Sequence, residues 1–587
     1  MRRSTLLAGT AICLLSVGSR GRPPAEDVIL RAMRDELART MEHLHLDTLP
    51  KPYFVAYRVD DIDAATVAGS LGSLLYDEDE RRRLLVVELR VGDYQFDNTN
   101  FFGMPTGFAG MARGGRAIGL LPLDDDYREL RRQLWLATDA AYKQAIEAVS
   151  QKRAALQNQI RSDSLPDFSH EPVVAIADTE LASASRPDLR ATEALVRSLS
   201  AEFRGMSDIF SSRVQWTAGM VRTRYVNSEG TSFVRSSPWT SVRAEAATQA
   251  VDGMALSDVV AAYGATVADL PSREALRLNV QELGTRLTRL RQAAPADAYN
   301  GPVLFEGQAA AELFNQVFAP NLVASRRPVS GNPLLERLMA RSGNRFQDEL
   351  GARVLPRSFS AVDNPTVTTF EGQFVGGYRV DDDGVLARET RVVDHGILKT
   401  LLTTRVPVRG MPRSTGNRWG FGAVVSNLFV SVDSGLTAEQ LKDRLLRLAT
   451  ERGLAYGVIV RRIANPAMRS SADPMALLSS MGGSSSEGTP TLVAALAVKV
   501  YADGHEESIR NADISGISTA TFKEIVAASQ SRTVYTTPFR ARFGLGFGGA
   551  GLGYAATYIV PSVLFDDVSL SRPSAGTPAL PALRPPQ

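Results

Sequence analysis

Apolar residues recur at helical spacing in five long stretches: 27–43 (Ile29, Leu30, Met33, Leu37, Met41), 124–160, 188–203, 272–293 and 437–452. Other stretches are β-rich and partly alternate. "PYFVAYRVDD", "ATVAGSLGSLLYD" and "RRLLVVELRVGDYQFD" read as three successive antiparallel strands divided by Asp/Gly turns, and 211–254 reads as a β-meander. From Gly301 the texture changes. The strand "GPVLFEG" leads into "AAAELFNQVFAP", where Ala310, Leu313, Phe314, Val317 and Phe318 share one helical side. A β-rich region over 350–435 follows, then the helix at 437–452 and the strands "YGVIVRRI" and "VAALAVKVYADG". Helix and strand alternate irregularly, so the fold class is α+β: an N-terminal antiparallel sheet with helices, then a β-rich C-terminal domain.

A chain of 587 residues exceeds a single core. The expected division is a signal peptide at 1–22, an N-terminal α+β domain at 25–295 with a helical insertion near 105–165, a C-terminal domain at 300–570 and a disordered Pro-rich tail at 571–587. The N-terminus has Arg2 and Arg3 before an apolar run, Leu6 to Val17, too short to span a bilayer. It predicts export to the periplasm or beyond. Ala11-Ile12 is a poor lipobox ahead of Cys13, and the apolar run continues past it, which argues against lipid attachment. No later run reaches the length of a membrane-spanning helix. Cys13 is the only cysteine, so the mature chain has no disulfide and no thiolate chemistry. Lys+Arg of 66 against Asp+Glu of 64 leaves +2, which gives no global field for nucleic acid.

Most single motifs are weak. "GFGGAG" at 546–551 matches GxGxxG but lies in a longer glycine run with no helix after it, so a mobile loop is the better reading. The segment 469–490 reads as a flexible loop. "RVDDDGVL" has consecutive rather than alternate carboxylates and fits an Asp-rich hairpin turn, not a calcium loop. The five histidines, His43, His45, His170, His395 and His505, form no HExxH and read as structural or surface residues.

A longer composite is more specific. The "DDDG" turn, "DHGILKTLLTTR", "STGN" at 414–417, "SNLFV", "VPSVLFDDVSL" at 560–570 and "VLFEGQAAAELFNQVF" occur in an order that resembles the TldD/PmbA family, also called the modulator-of-DNA-gyrase family. In catalytic members, the resemblance implies, the helix after "VLFEG" carries HExxxH. Its histidines bind zinc and its glutamate acts as general base. Anchored on Gly307, those positions fall on Phe314, Asn315 and Ala319 here, and 301–394 contains no histidine or cysteine. The cysteine that completes the family's metal site is also absent. The chain therefore resembles the PmbA (TldE) type, which lacks the metal motif and pairs with a metal-binding TldD-type subunit around a peptide-degrading cavity.

The expectations are a non-catalytic subunit without a cofactor of its own, binding a peptide or unfolded segment as a homodimer or as a heterodimer with a TldD-type chain. Peptide-binding candidates are Arg413, Thr415, Asn417, Arg418 and Trp419, placed by strand addition near "RSTGNRWGFG". Two alternatives stay open: a homodimeric peptide-binding module, and an active zinc metallopeptidase with unplaced ligands such as His395 and His505.

Overall fold

The computed structural model describes residues 27–46, 48–102, 115–157, 164–176, 188–327, 329–330, 344–420, 422–468, 492–538 and 555–573. The expected signal peptide with Cys13, the 469–490 loop, the 546–551 glycine run and nearly all of the tail lie outside them.

The first half is a seven-stranded sheet. Its strands are β1 (Pro52–Ser70), β2 (Ser73–Val91), β3 (Arg116–Leu121), β4 (Ala175–Ile176), β5 (Ser211–Asn227), β6 (Ser232–Gln249) and β7 (Ala255–Gly264). Their order is β3-β2-β1-β5-β6-β4, with β7 also on β6. The three strands expected over 52–97 are in fact two. Asp60, Asp61 and Asp63 do not break β1, because each has an arginine partner: Arg58 on β1 itself for Asp60, Arg81 on β2 for Asp63, and arginines on both neighbouring strands for Asp61. Asp61 lies 2.5 Å from Arg83 on β2 and 2.5 Å from Arg224 on β5. The chain reverses instead at Leu71-Gly72, both with positive φ.

Four helices form where the apolar spacing places them: α1 (Val28–His43), α2 (Tyr127–Gln157), α3 (Leu189–Ala201) and α4 (Arg273–Gln292). Asp27, Asp188 and Ser272 cap α1, α3 and α4 through their side chains. All four cover one sheet face. α1 and α2 pack on Val55, Tyr57, Val59, Leu85, Val87 and Leu89 through one core, and α3 and α4 on Val67, Val214, Trp216 and Val242 through another.

The other sheet face, carrying Phe54, Ala56 and Arg58, turns toward the second half, where Val380 joins the cluster of Phe54, Ala56 and Tyr225. That half holds a twelve-stranded sheet. Its main strands are β8 (Tyr299–Phe305), β9 (Phe359–Asp363), β10 (Thr390–Asp394), β11 (Ile397–Leu398), β12 (Asn427–Val432), β13 (Tyr456–Ile463), β14 (Leu492–Tyr501), β15 (Glu506–Arg510), β16 (Ala512–Ser515), β17 (Ile525–Pro538) and β18 (Ala555–Ser571). β18 is the central strand, paired with β8, β12, β16 and β17. Because β16 also pairs with β14, the strands β18, β8, β13, β14 and β16 form a closed circuit. The fold is α+β, with a β-rich second half. A short helix, α5 (Gln308–Leu313), follows β8. A longer one, α6 (Ala438–Glu451), starts in a Thr437/Gln440 capping box and packs on β8 and β13.

Candidate functional site

The helix that follows β8 sits at the centre of the second half. Gly307 starts it at φ 57 and ψ −119, a conformation that suits glycine. Its α-helical part, α5, is only six residues long. Phe314–Phe318 then form a π turn, in which the Ala319 N–H donates to the Phe314 carbonyl. The one-sided helix expected here needs correction: every residue from Ala309 to Ala319 is buried, polar ones included. The reason is position, since α5 packs on β13, β17 and β18 together.

The positions that the resemblance assigns to the metal motif have other partners. The Phe314 ring lies 5.2 Å from Phe522 and 5.6 Å from Phe318, and Phe318 also meets Phe346 at 5.1 Å. Ala319 is buried in the same core. Asn315 donates its amide to Glu312 at 2.9 Å. A phenyl ring and a methyl group have no lone pair to offer, and an amide is a poor ligand and no base near neutral pH. These residues do not fit a zinc ion. Among the described residues, no group of three or more His, Cys, Asp or Glu side chains is placed to hold a metal.

Glu312, which sequence reasoning passed over, is the polar centre of the site. It is fully buried. One oxygen accepts from Asn465 Nδ2 at 2.7 Å and from the Tyr535 hydroxyl at 2.5 Å; the other accepts from Asn315 Nδ2 and Gln316 Nε2, both at 2.9 Å. Burial and then the Glu312 charge hold the Tyr535 hydroxyl well above its usual range, so it stays a donor. Gln316 also donates to the Ala464 carbonyl, and Asn465 to Thr537. Gln308 clamps the backbone of Ile463 through both its N–H and its carbonyl. Next along the chain, Met468 receives bonds from Tyr263 and Arg243 of the first half. The available signal was a lone acidic residue in an apolar run with Asn and Gln three and four positions on.

The peptide-binding candidates stand elsewhere, at the joint between the halves. Thr415 exchanges bonds with Thr403, and Asn417 donates to Asp363 at 2.7 Å. Arg418 reaches Glu88 at 3.0 Å and also pairs with Asp383. Trp419 packs against Tyr378 and lies 4.2 Å from the Arg235 guanidinium. All four are buried; Arg413 is exposed and pairs with Glu171 at 3.4 Å.

The Asp-rich turn belongs to the same joint. Asp381 accepts the backbone N–H groups of Asp383, Val385 and Arg418, each at 2.9 Å. Asp382 takes Arg235 at 3.0 Å, the Gly420 N–H at 2.9 Å and Arg58. Burial works against the Asp382 charge, but Arg58 and Arg235 outweigh it and hold the carboxyl at about 2. Burial, then the neighbouring Asp383, pushes Asp381 up to about 8. The five histidines are all exposed. His395 and His505 stand on separate hairpins, β10–β11 and β14–β15, with β9, β12, β18 and β16 between them in the sheet.

A family model described as the PmbA/TldA metallopeptidase C-terminal domain matches residues 298–572. Among curated proteins, metalloprotease MJ0996 of Methanocaldococcus jannaschii is 33% identical over 112 residues, 18% of this chain and 24% of that protein. The chain thus matches about a quarter of that relative's length. Among solved structures, a protein of Thermotoga maritima described as a modulator of a DNA gyrase superposes with TM-score 0.59 at 13% identity, over 92% of this chain and 99% of that one. TldE from Thermococcus kodakarensis gives 0.53 at 15%, over 92% and 100%. A modulator of DNA gyrase from Bacteroides thetaiotaomicron gives 0.57 at 12%, over 93% and 98%. At these identities the likeness shows a shared fold. The C-terminal domain, residues 298–572, thus belongs to the PmbA/TldD family and is metallopeptidase-like.

Proposed function

We propose that this chain is an exported, non-catalytic member of its family that holds a peptide or unfolded segment as one half of a dimer and leaves hydrolysis to a metal-bearing partner. The observation that supports this reading is the use of Phe314, Asn315 and Ala319: two are packed in an apolar core, and the third is spent on Glu312. At these three positions the chain offers no base to activate water and no ligand pair to collect an ion. The superposition on a protein named TldE agrees in fold.

The test is elemental analysis of the purified chain together with a peptidase assay. The expected result is less than about 0.1 zinc per chain and no chelator-sensitive hydrolysis of casein by the chain alone. One zinc per chain, lost together with activity in EDTA, would overturn the reading. Purification from the native host should also recover a second chain that retains HExxxH. Recovery of this chain only as a homodimer would favour a stand-alone binding module.

A further inference from the structure

A carboxylate removed from water is normally matched by a cationic side chain or a metal ion. Among the described residues no cationic side chain pairs with Glu312. Its four contacts are Asn315, Gln316, Asn465 and Tyr535, all neutral donors. Two bonds to each oxygen use the carboxylate's acceptor directions in full. Such charge-assisted bonds are about twice as strong as neutral ones. The donors come from three separate pieces of chain: the turn after α5, the segment beyond β13, and β17. Gln316 and Asn465 each spend their second N–H on a neighbouring piece, Ala464 and Thr537. One acceptor therefore holds three segments in register, as a metal ion does when it gathers ligands.

We propose that Glu312 is a positioning residue whose carboxylate takes the place of a metal at the centre of this site. It fixes Asn465 to Met468 and Tyr535 to Thr537 around the helix, so the site keeps its shape without an ion. As far as a bound peptide is concerned, this rests on the reading above; the positioning itself does not.

The experiment compares full-length wild type, Glu312→Gln and Tyr535→Phe by hydrogen–deuterium exchange. It also measures fluorescence anisotropy with labelled casein as an unfolded-chain probe, with and without EDTA or zinc chloride. Glutamine keeps the shape but turns an N–H₂ donor toward two of the four donors. In Glu312→Gln, exchange over 465–468 and 535–537 should rise at least tenfold, while α6 and β1 stay unchanged. Tyr535→Phe removes one bond of four and should fall between. Casein affinity should drop in the same rank order, and wild type should respond to neither EDTA nor zinc. Unchanged exchange in Glu312→Gln would overturn the proposal, as would stoichiometric zinc that protects these segments in wild type. If casein does not bind wild type, the peptide reading falls and the exchange data still decide the role of Glu312. If Glu312→Gln does not fold, Tyr535→Phe decides: it must loosen 465–468, because its link to Asn465 runs through Glu312.

Discussion

Asp363 shows how one buried carboxyl sets a pH response. Burial pushes it up to about 7, although Ser426 and Asn417 donate to it. The ordinary value for aspartate is about 3.9. Between about pH 4 and pH 7 the folded chain therefore holds a proton that the unfolded chain has released. The sign follows: this group's contribution to stability is fully present below about pH 4, is lost as pH rises to about 7, and is constant above that. The slope is about 1.4 kcal/mol per pH unit for one proton. Asp381 acts in the same direction to a higher pH. Asp382, held at about 2, acts oppositely and only in acid. Urea unfolding of Asp363→Asn from pH 4.5 to 8 should show a profile flatter by up to that slope between pH 4.5 and 7. An unaltered profile would rule out Asp363 as the titrating group. The sequence marked neither Asp363 nor Glu312, because both depend on burial among distant partners.

At the scale of elements, the β1–β2 ribbon and α5 show where local rules stop. An Asp-rich stretch normally ends a strand. Here Asp61 sits between Arg83 and Arg224, whose side chains are nearly buried, and β1 runs through. Asp61→Ala leaves both guanidiniums without this partner and should cost roughly 3 kcal/mol, read as a lower denaturation midpoint with folding retained. A cost below about 0.5 kcal/mol would mean that the ribbon does not need the pair. The helices were legible: the five long apolar periodicities correspond to α1, α2, α3, α4 and α6, because each buries one stripe against one sheet. α5 was legible as a helix but not as one buried on every side. Its polar residue Glu312 is buried because Asn465 and Tyr535, far along the chain, supply its partners.

At the scale of the whole molecule, the two halves are joined by charge. Asp382 and Asp383 reach Arg58, Arg235 and Arg418, and Arg418 continues to Glu88. Arg405 adds a second tie, to Glu229 at 2.6 Å and to the Ser169 carbonyl. Removing one member of such a buried group leaves its partners uncompensated. Asp382→Ala should therefore cost about 3–5 kcal/mol and split the calorimetric transition into two, as the halves uncouple. A single transition at the wild-type temperature would show that the joint does not couple them. The motif pieces that carried the family resemblance, "DDDG" and "STGN", are largely this joint, which is why four of the five residues expected at a peptide rim are buried in it.

By itself the sequence determined the α+β class, the places of the long helices, the family of the C-terminal domain and the absence of histidine and cysteine from 301–394. These follow from local spacing and from side-chain chemistry, which a linear chain displays directly. Only the tertiary structure decided that Asp60 to Asp63 stay within a strand, that the Asp-rich turn locks two halves, and that Glu312 gathers three segments. Each depends on burial and on partners far away in the chain, as with Arg58 and Asp382, 324 positions apart. Removal from water is what turns such a charge from a solvated group into a structural bond.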